Sequence, residues 1–121
     1  MLVTEQSIKA SYNLLKKTAF KDIRLPVKVR FKALNMDKFW GLYYWPDQIL
    51  VVNKKAKTIE EVLKIVAHEM IHAALEQNAD CDHHLHDANF EAFAEIVCKE
   101  MGWNGCPMMR VSIVSACAKL S

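Results

Sequence analysis

The sequence contains little glycine or proline, three residues of each among 121, which excludes collagen-like and low-complexity classes. No apolar run approaches the roughly 20 residues that a transmembrane helix needs. A secretory leader is also lacking, because lysines interrupt residues 8–19. The hydrophobic share of 52% against 25% charged residues suffices for a packed core. We therefore expect one soluble, intracellular globular domain over residues 1–121, monomeric and without membrane contact.

The four cysteines form no C-x-x-C pair, so a zinc ribbon is not indicated, including at the C-terminus. Without a secretory leader, a disulfide framework has little support either. We expect most of these thiols to be reduced and buried. Only Cys81, which lies beside a histidine cluster, has a functional alternative. The cysteines are Cys81, Cys98, Cys106 and Cys117.

Positive charge is concentrated in the first half of the chain. Residues 1–57 hold 12 Lys and Arg against 4 Asp and Glu, whereas residues 58–121 hold 4 against 10. A basic half can attract nucleic acid, or its lysines and arginines can simply solvate a helix and a strand. The nucleic-acid interpretation rests on basic residues of one strand face and on two tryptophans that could stack on unpaired bases or pack as ordinary sheet aromatics. These candidates are Lys28, Arg30, Lys32, Trp40 and Trp45.

Periodicity predicts an α+β order of elements. Residues 4–20 form an amphipathic helix capped by Thr4, and residues 27–33 alternate between apolar and basic side chains as in a half-buried strand. Residues 39–45 and 49–52 are predicted to pair as a hairpin, giving a three-stranded antiparallel sheet. Thr58 and Glu61 fit a capping box that opens a long helix reaching about residue 77. After a polar loop, Asp87 is placed to cap a third helix, which Gly102 ends; the tail after Pro107 is either strand or helix.

Residues 68–72 read His-Glu-Met-Ile-His, an H-E-x-x-H match inside the predicted long helix. Helical residues four apart differ by about 40° around the axis, so His68 and His72 leave one face, one turn apart. This spacing allows both imidazoles to bind one Zn²⁺. Glu69 lies close enough to take a proton from a water on the metal and to pass it to a leaving amine. The alternative is a pair of core histidines with Glu69 as a solvated charge.

A catalytic zinc site needs a third protein ligand and an open fourth position. The position just ahead of the predicted third helix favours His86. Glu91 and Glu95, one turn apart on that helix, are the rivals, because a glutamate from a second helix serves in thermolysin-like sites. The remaining alternatives are Cys81, His83 and His84.

These motifs, in their order, resemble the SprT-like metalloprotease family, which includes Spartan. The family runs from a strand to an H-E-x-x-H helix, a variable loop and a third histidine in an H-G-x-x-aromatic element; here these are residues 49–52, residues 68–72 and His86-Asp87-Ala88-Asn89-Phe90. The resemblance covers about residues 4–102. It implies a zincin-like α+β fold and peptide hydrolysis, with one Zn²⁺ held by His68, His72 and His86 and with Glu69 as catalytic base. Asp87 stands where the family usually has glycine.

A well-known member of that family degrades proteins crosslinked to DNA. The resemblance therefore raises DNA-associated or DNA-crosslinked proteins as substrates, single-stranded or damaged DNA as a partner, and the nucleoid or nucleus as an alternative to the cytoplasm. Two other classes of function stay open. One is a non-catalytic DNA-binding or adaptor module with a closed four-ligand zinc site, which Cys81 could complete. In that module zinc would only hold the helices together. The other is a metal-dependent hydrolase of a non-peptide substrate. A purely structural zinc site would not need Glu69 as a base.

Overall fold

The computed structural model describes residues 3–44, 47–77, 88–103 and 115–117. These residues form an α+β domain, as the sequence predicts. The elements in chain order are α1 (Glu5–Lys17), β1 (Arg30–Leu34), β2 (Gly41–Tyr44), β3 (Ile49–Asn53), α2 (Ile59–Glu76), α3 (Ala88–Met101) and β4 (Ser115–Cys117). Within these ranges, no helix is both long and apolar enough to cross a bilayer.

Side-chain caps define where the first two helices begin. Thr4 accepts a hydrogen bond from the backbone N–H of Ser7 and opens α1. Thr58 accepts from the N–H of Glu61, whose carboxylate accepts from the N–H of Thr58 in return, which is the predicted capping box of α2. Local sequence therefore fixes both helix starts.

The sheet has the strand order β1-β3-β2-β4 and is mixed. β2 and β3 pair antiparallel, as the hairpin prediction requires. β1, however, runs parallel to β3, and β4 runs parallel to β2, so the expected all-antiparallel, three-stranded sheet is wrong. The reason is that residues 35–40 cross the end of β3 instead of making a hairpin with β1. Asn53, the last residue of β3, holds this crossing by donating from Nδ2 to the carbonyls of Met36 and Phe39 at 2.9 and 2.8 Å.

The first strand also begins later than its alternating pattern predicts. β1 starts at Arg30, and the side chain of Val27, expected in the core, is 95% exposed. Phe31 does face inward and meets the ring of Tyr12 edge-on at 5.1 Å between ring centroids. The alternating pattern therefore identifies the core-facing side of β1 but places the start of the strand too early.

Helix α2 lies at the centre of the core. It contacts α1, α3, β2 and β3, and all residues from 65 to 75 are buried. Helix α3 packs its apolar stripe against α2 and ends at Gly102, whose φ of 69° is the predicted left-handed cap. The predicted loop over residues 78–86 and the Asp87 cap lie outside the described residues.

Candidate metal centre

His68 and His72 lie side by side in the buried middle of α2. Their ring centroids are 5.2 Å apart, with 64° between the ring planes, and their residues are 2% and 0% exposed. The one-turn spacing predicts this proximity. The two imidazoles therefore point to a common region of the protein.

The ring of Phe90, in the first turn of α3, packs against both imidazoles. Its centroid lies 4.9 Å from that of His68 and 5.0 Å from that of His72, and Phe90 is fully buried. In the sequence, Phe90 stands at the aromatic position of the element that resembles H-G-x-x-aromatic. Its contacts show that α3 begins directly beside the histidine pair and supplies an apolar wall there.

Glu69 lies on the flank of α2 that faces the sheet, and it is 0% exposed. Gly41 of β2 is its neighbour: a Cβ built on Gly41 would lie 2.7 Å from Oε2 of Glu69 and 2.7 Å from Cγ2 of Ile65. The strand backbone thus lies directly over the carboxylate. Glu69 is therefore not the solvated charge of the non-catalytic alternative.

The residues present fit a zinc ion in part. Two imidazoles on one tetrahedral Zn²⁺, with Zn–N distances of about 2.0–2.1 Å, have ring centres about 5 Å apart. The separation of 5.2 Å between His68 and His72 agrees with that value. Imidazole nitrogen is also one of the donors that Zn²⁺ prefers. The geometry of the pair is compatible with two ligands to one Zn²⁺, and a catalytic site would need a third ligand from another part of the chain.

The structure does not bring the rival glutamates of α3 into the site. Glu91 and Glu95 are both exposed. Among the described residues, no cluster of three or more His, Cys, Asp or Glu side chains could hold a metal. The other third-ligand candidates, Cys81, His83, His84 and His86, lie outside the described residues. The assignment of His86 therefore stays a prediction.

Two tyrosines, Tyr43 and Tyr44, end strand β2. Tyr43 is fully buried, and its hydroxyl donates to Oε1 of Glu76 at 2.6 Å, near the end of α2. This bond ties β2 to α2 two turns beyond Glu69. Tyr44 is half-buried. The hydrogen bond assigns Tyr43 a part in holding the sheet on the helix.

The described residues among the nucleic-acid candidates lie in different surroundings. Arg30 and Lys32 of β1 join Lys9 of α1 around a cleft of about 390 Å³, which Glu5, Gln6 and Phe31 also line. Lys28 is exposed just before β1. Trp40 instead packs half-buried against the core at the start of β2, and Trp45 lies outside the described residues. Sequence reasoning missed Lys9, because the contact between α1 and β1 is not local.

The H-E-x-x-H motif thus lies in the buried part of α2, which packs against a mixed sheet. Residues 8–112 match the model of the SprT-like family. The chain belongs to the SprT-like family. Searches among curated proteins and among solved structures gave no match.

Proposed function

We propose that this protein is a zinc-dependent protease in which His68, His72 and His86 hold one Zn²⁺ and Glu69 is the general base. The burial of three ionisable side chains within two turns of α2 carries the proposal. Histidine and glutamate are seldom withdrawn so completely from water without a compensating role. Ionisable groups held in this way are typical of functional sites. The match to the SprT-like family supports the same conclusion.

Each residue has a distinct part in the proposed reaction. When bound, Zn²⁺ would act as a Lewis acid toward the scissile carbonyl and would lower the pKa of a coordinated water. Glu69 takes the proton of the attacking water and delivers it to the leaving amine nitrogen. Gly41 of β2 lies against the carboxylate of Glu69, and the ring of Phe90 packs against both imidazoles.

The position of His86 favours it as third ligand. His86 is four positions before Phe90 in the sequence, so the length of the chain allows at most about 14 Å between their Cα atoms. Phe90 in turn contacts both imidazoles. Glu91 and Glu95 are exposed on α3, so they have no comparable link to the two imidazoles. A ligand that enters with the chain just before α3 therefore suits the site.

The test measures zinc content and the cleavage of an unfolded protein in the parent and in single-residue variants. Glu69→Gln is expected to keep its zinc and to lose cleavage by roughly 10²–10⁴-fold, the usual contribution of a general base. His86→Ala is expected to lose zinc, whereas His83→Ala and His84→Ala, the matched controls, keep it. Cleavage at the parental rate in Glu69→Gln would refute the base, whereas a parent that binds zinc but cleaves no protein would favour the non-catalytic adaptor.

We further propose that the substrates are proteins associated with DNA, held near the site by the cleft around Lys9, Arg30 and Lys32. Three cations line this cleft against one acidic residue, Glu5, so the cleft carries a net positive charge that would attract a phosphate backbone. In this account, single-stranded or damaged DNA brings its bound protein to the protease, and the protein acts as a monomer at the nucleoid or in the nucleus.

Binding of a fluorescent single-stranded oligonucleotide tests the cleft. Arg30→Ala with Lys32→Ala is expected to weaken binding and to make the salt dependence shallower by about 0.7 per lost phosphate contact. Lys16→Ala with Lys17→Ala removes the same charge from the exposed end of α1 and is the matched control. An equal effect of both pairs would reduce the basic half of the chain to a solubility feature.

A further inference from the structure

Gly41 lies where a side chain has no room. A Cβ at this position would be 2.7 Å from Oε2 and 3.1 Å from Cγ of Glu69, and 2.7 Å from Cγ2 of Ile65. Real Cβ atoms essentially never approach another heavy atom to less than 3.0 Å. Any residue other than glycine must therefore displace the carboxylate, the isoleucine or the strand.

The backbone of β2 does not itself need a glycine here. Among the described glycines, Gly102 is the one with positive φ, so Gly41 adopts a conformation open to other residues. Glycine inside a strand weakens the strand and often marks a close approach of another group. The space that the side chains of Glu69 and Ile65 occupy therefore accounts for a glycine at position 41.

The strand cannot easily move away from the carboxylate. Gly41 pairs with Val52 of β3 on one side and with Ser115 of β4 on the other. The residue before it is held as well, because the N–H of Asn53 donates to the carbonyl of Trp40 at 2.9 Å. A side chain at position 41 would therefore be accommodated mainly by movement of Glu69 and Ile65.

We propose that Gly41 is a positioning residue of the hydrolytic site: its missing side chain sets where the carboxylate of Glu69 lies beneath β2. The inference rests on the proposed function, in which that carboxylate is the general base. A misplacement of a reacting group by about 1 Å can cost about 10²-fold in rate. The three heavy atoms nearest the added Cβ belong to Glu69 and Ile65, and not to His68, His72 or Phe90.

Gly41→Ala tests the proposal in the zinc-loaded enzyme. We expect kcat to fall by roughly 10–100-fold, with KM and the dissociation constant for zinc within twofold of the parent. In a Glu69→Gln background the same substitution is expected to change the residual rate by less than threefold, because the carboxylate that it displaces is already gone. Parental kcat in a folded Gly41→Ala variant, or an equal loss in both backgrounds, would overturn the proposal.

Gly102→Ala is the matched control. Its Cβ meets nothing within 4 Å, but φ of 69° strains any residue other than glycine. It should lower Tm by a few degrees without changing kcat. Should it lower kcat as Gly41→Ala does, general loss of stability would explain both variants and the proposal would fail.

A stability measurement on the metal-free protein covers the case in which Gly41→Ala folds poorly. Glu69→Ala removes two of the three atoms that the new Cβ would meet. Tm of the Gly41→Ala/Glu69→Ala protein should exceed, by about 5 °C or more, the value expected if the two single effects added. Additive effects would overturn the proposed contact. Activity in Glu69→Gln would instead refute the proposed function, so the two failures are distinguishable.

Discussion

The Phe90→Leu substitution tests whether the ring of Phe90 orders the two imidazoles or only fills the core. Phe90 is fully buried, and its ring meets His68 and His72 at 4.9 and 5.0 Å. Leucine keeps most of the buried volume, so the free energy of unfolding should fall by less than about 2 kcal/mol. The two ring contacts are each worth about 0.5–1.5 kcal/mol beyond burial, a total of about 1–3 kcal/mol.

We expect this energy to be lost from zinc binding, because without the aromatic ring the imidazoles must be ordered when the metal binds. At about 1.4 kcal/mol per tenfold, the dissociation constant for zinc rises by roughly 5–150-fold. Competition with a chromophoric chelator on the metal-free protein measures it, and urea unfolding confirms that the variant is folded. Phe93→Leu, half-buried on the same helix, is the control and should leave zinc affinity unchanged. Unchanged affinity in Phe90→Leu, or an equal change in Phe93→Leu, refutes the reasoning.

Three further predictions concern stability. Burial raises the pKa of Tyr12 from 10.0 to about 12, so the stability that its neutral phenol contributes is complete below pH 10 and is lost as the pH rises toward 12. Relative to Tyr12→Phe, the parent should lose roughly 2–3 kcal/mol over that range, measured by urea unfolding at successive pH values; parallel curves would contradict this. Tyr43→Phe removes the donor to Glu76 and should cost about 1–3 kcal/mol in the same assay, and no loss would show that the 2.6 Å bond contributes nothing. Thr58→Ala removes the cap of α2 and should cost about 1 kcal/mol without altering zinc affinity; Thr58→Ser, which keeps the hydroxyl, is the control.

Features encoded by neighbouring residues could be predicted from the sequence. The caps at Thr4 and Thr58 need only the following turn, and the pairing of His68 with His72 needs only the pitch of a helix. The left-handed end of α3 could likewise be predicted from one residue, Gly102, and its position after the apolar stripe. The α+β class followed from these local signals.

Features that depend on distant parts of the chain could not. The parallel pairing of β1 with β3 depends on a crossing that Asn53 holds through Met36 and Phe39, which are 17 and 14 positions away in the sequence. Gly41 carried a signal, since glycine inside a strand suggests close approach. Its partner, however, is 28 positions further along the chain and became evident only from the fold. Lys9 of α1 likewise lies beside Arg30 and Lys32 only in the folded chain, so its place in the cleft could not be predicted from the sequence.

The burial of α2 on all sides has a consequence for how the site can open. Amides in its central turns lie in the part of the molecule with the most buried contacts, so their hydrogen exchange should require global unfolding. Helix α3 presents one face to solvent, and its amides should exchange through smaller openings. Among the described residues, we therefore expect motions that admit a ligand short of unfolding to involve α3 and Phe90 before they involve the histidine pair.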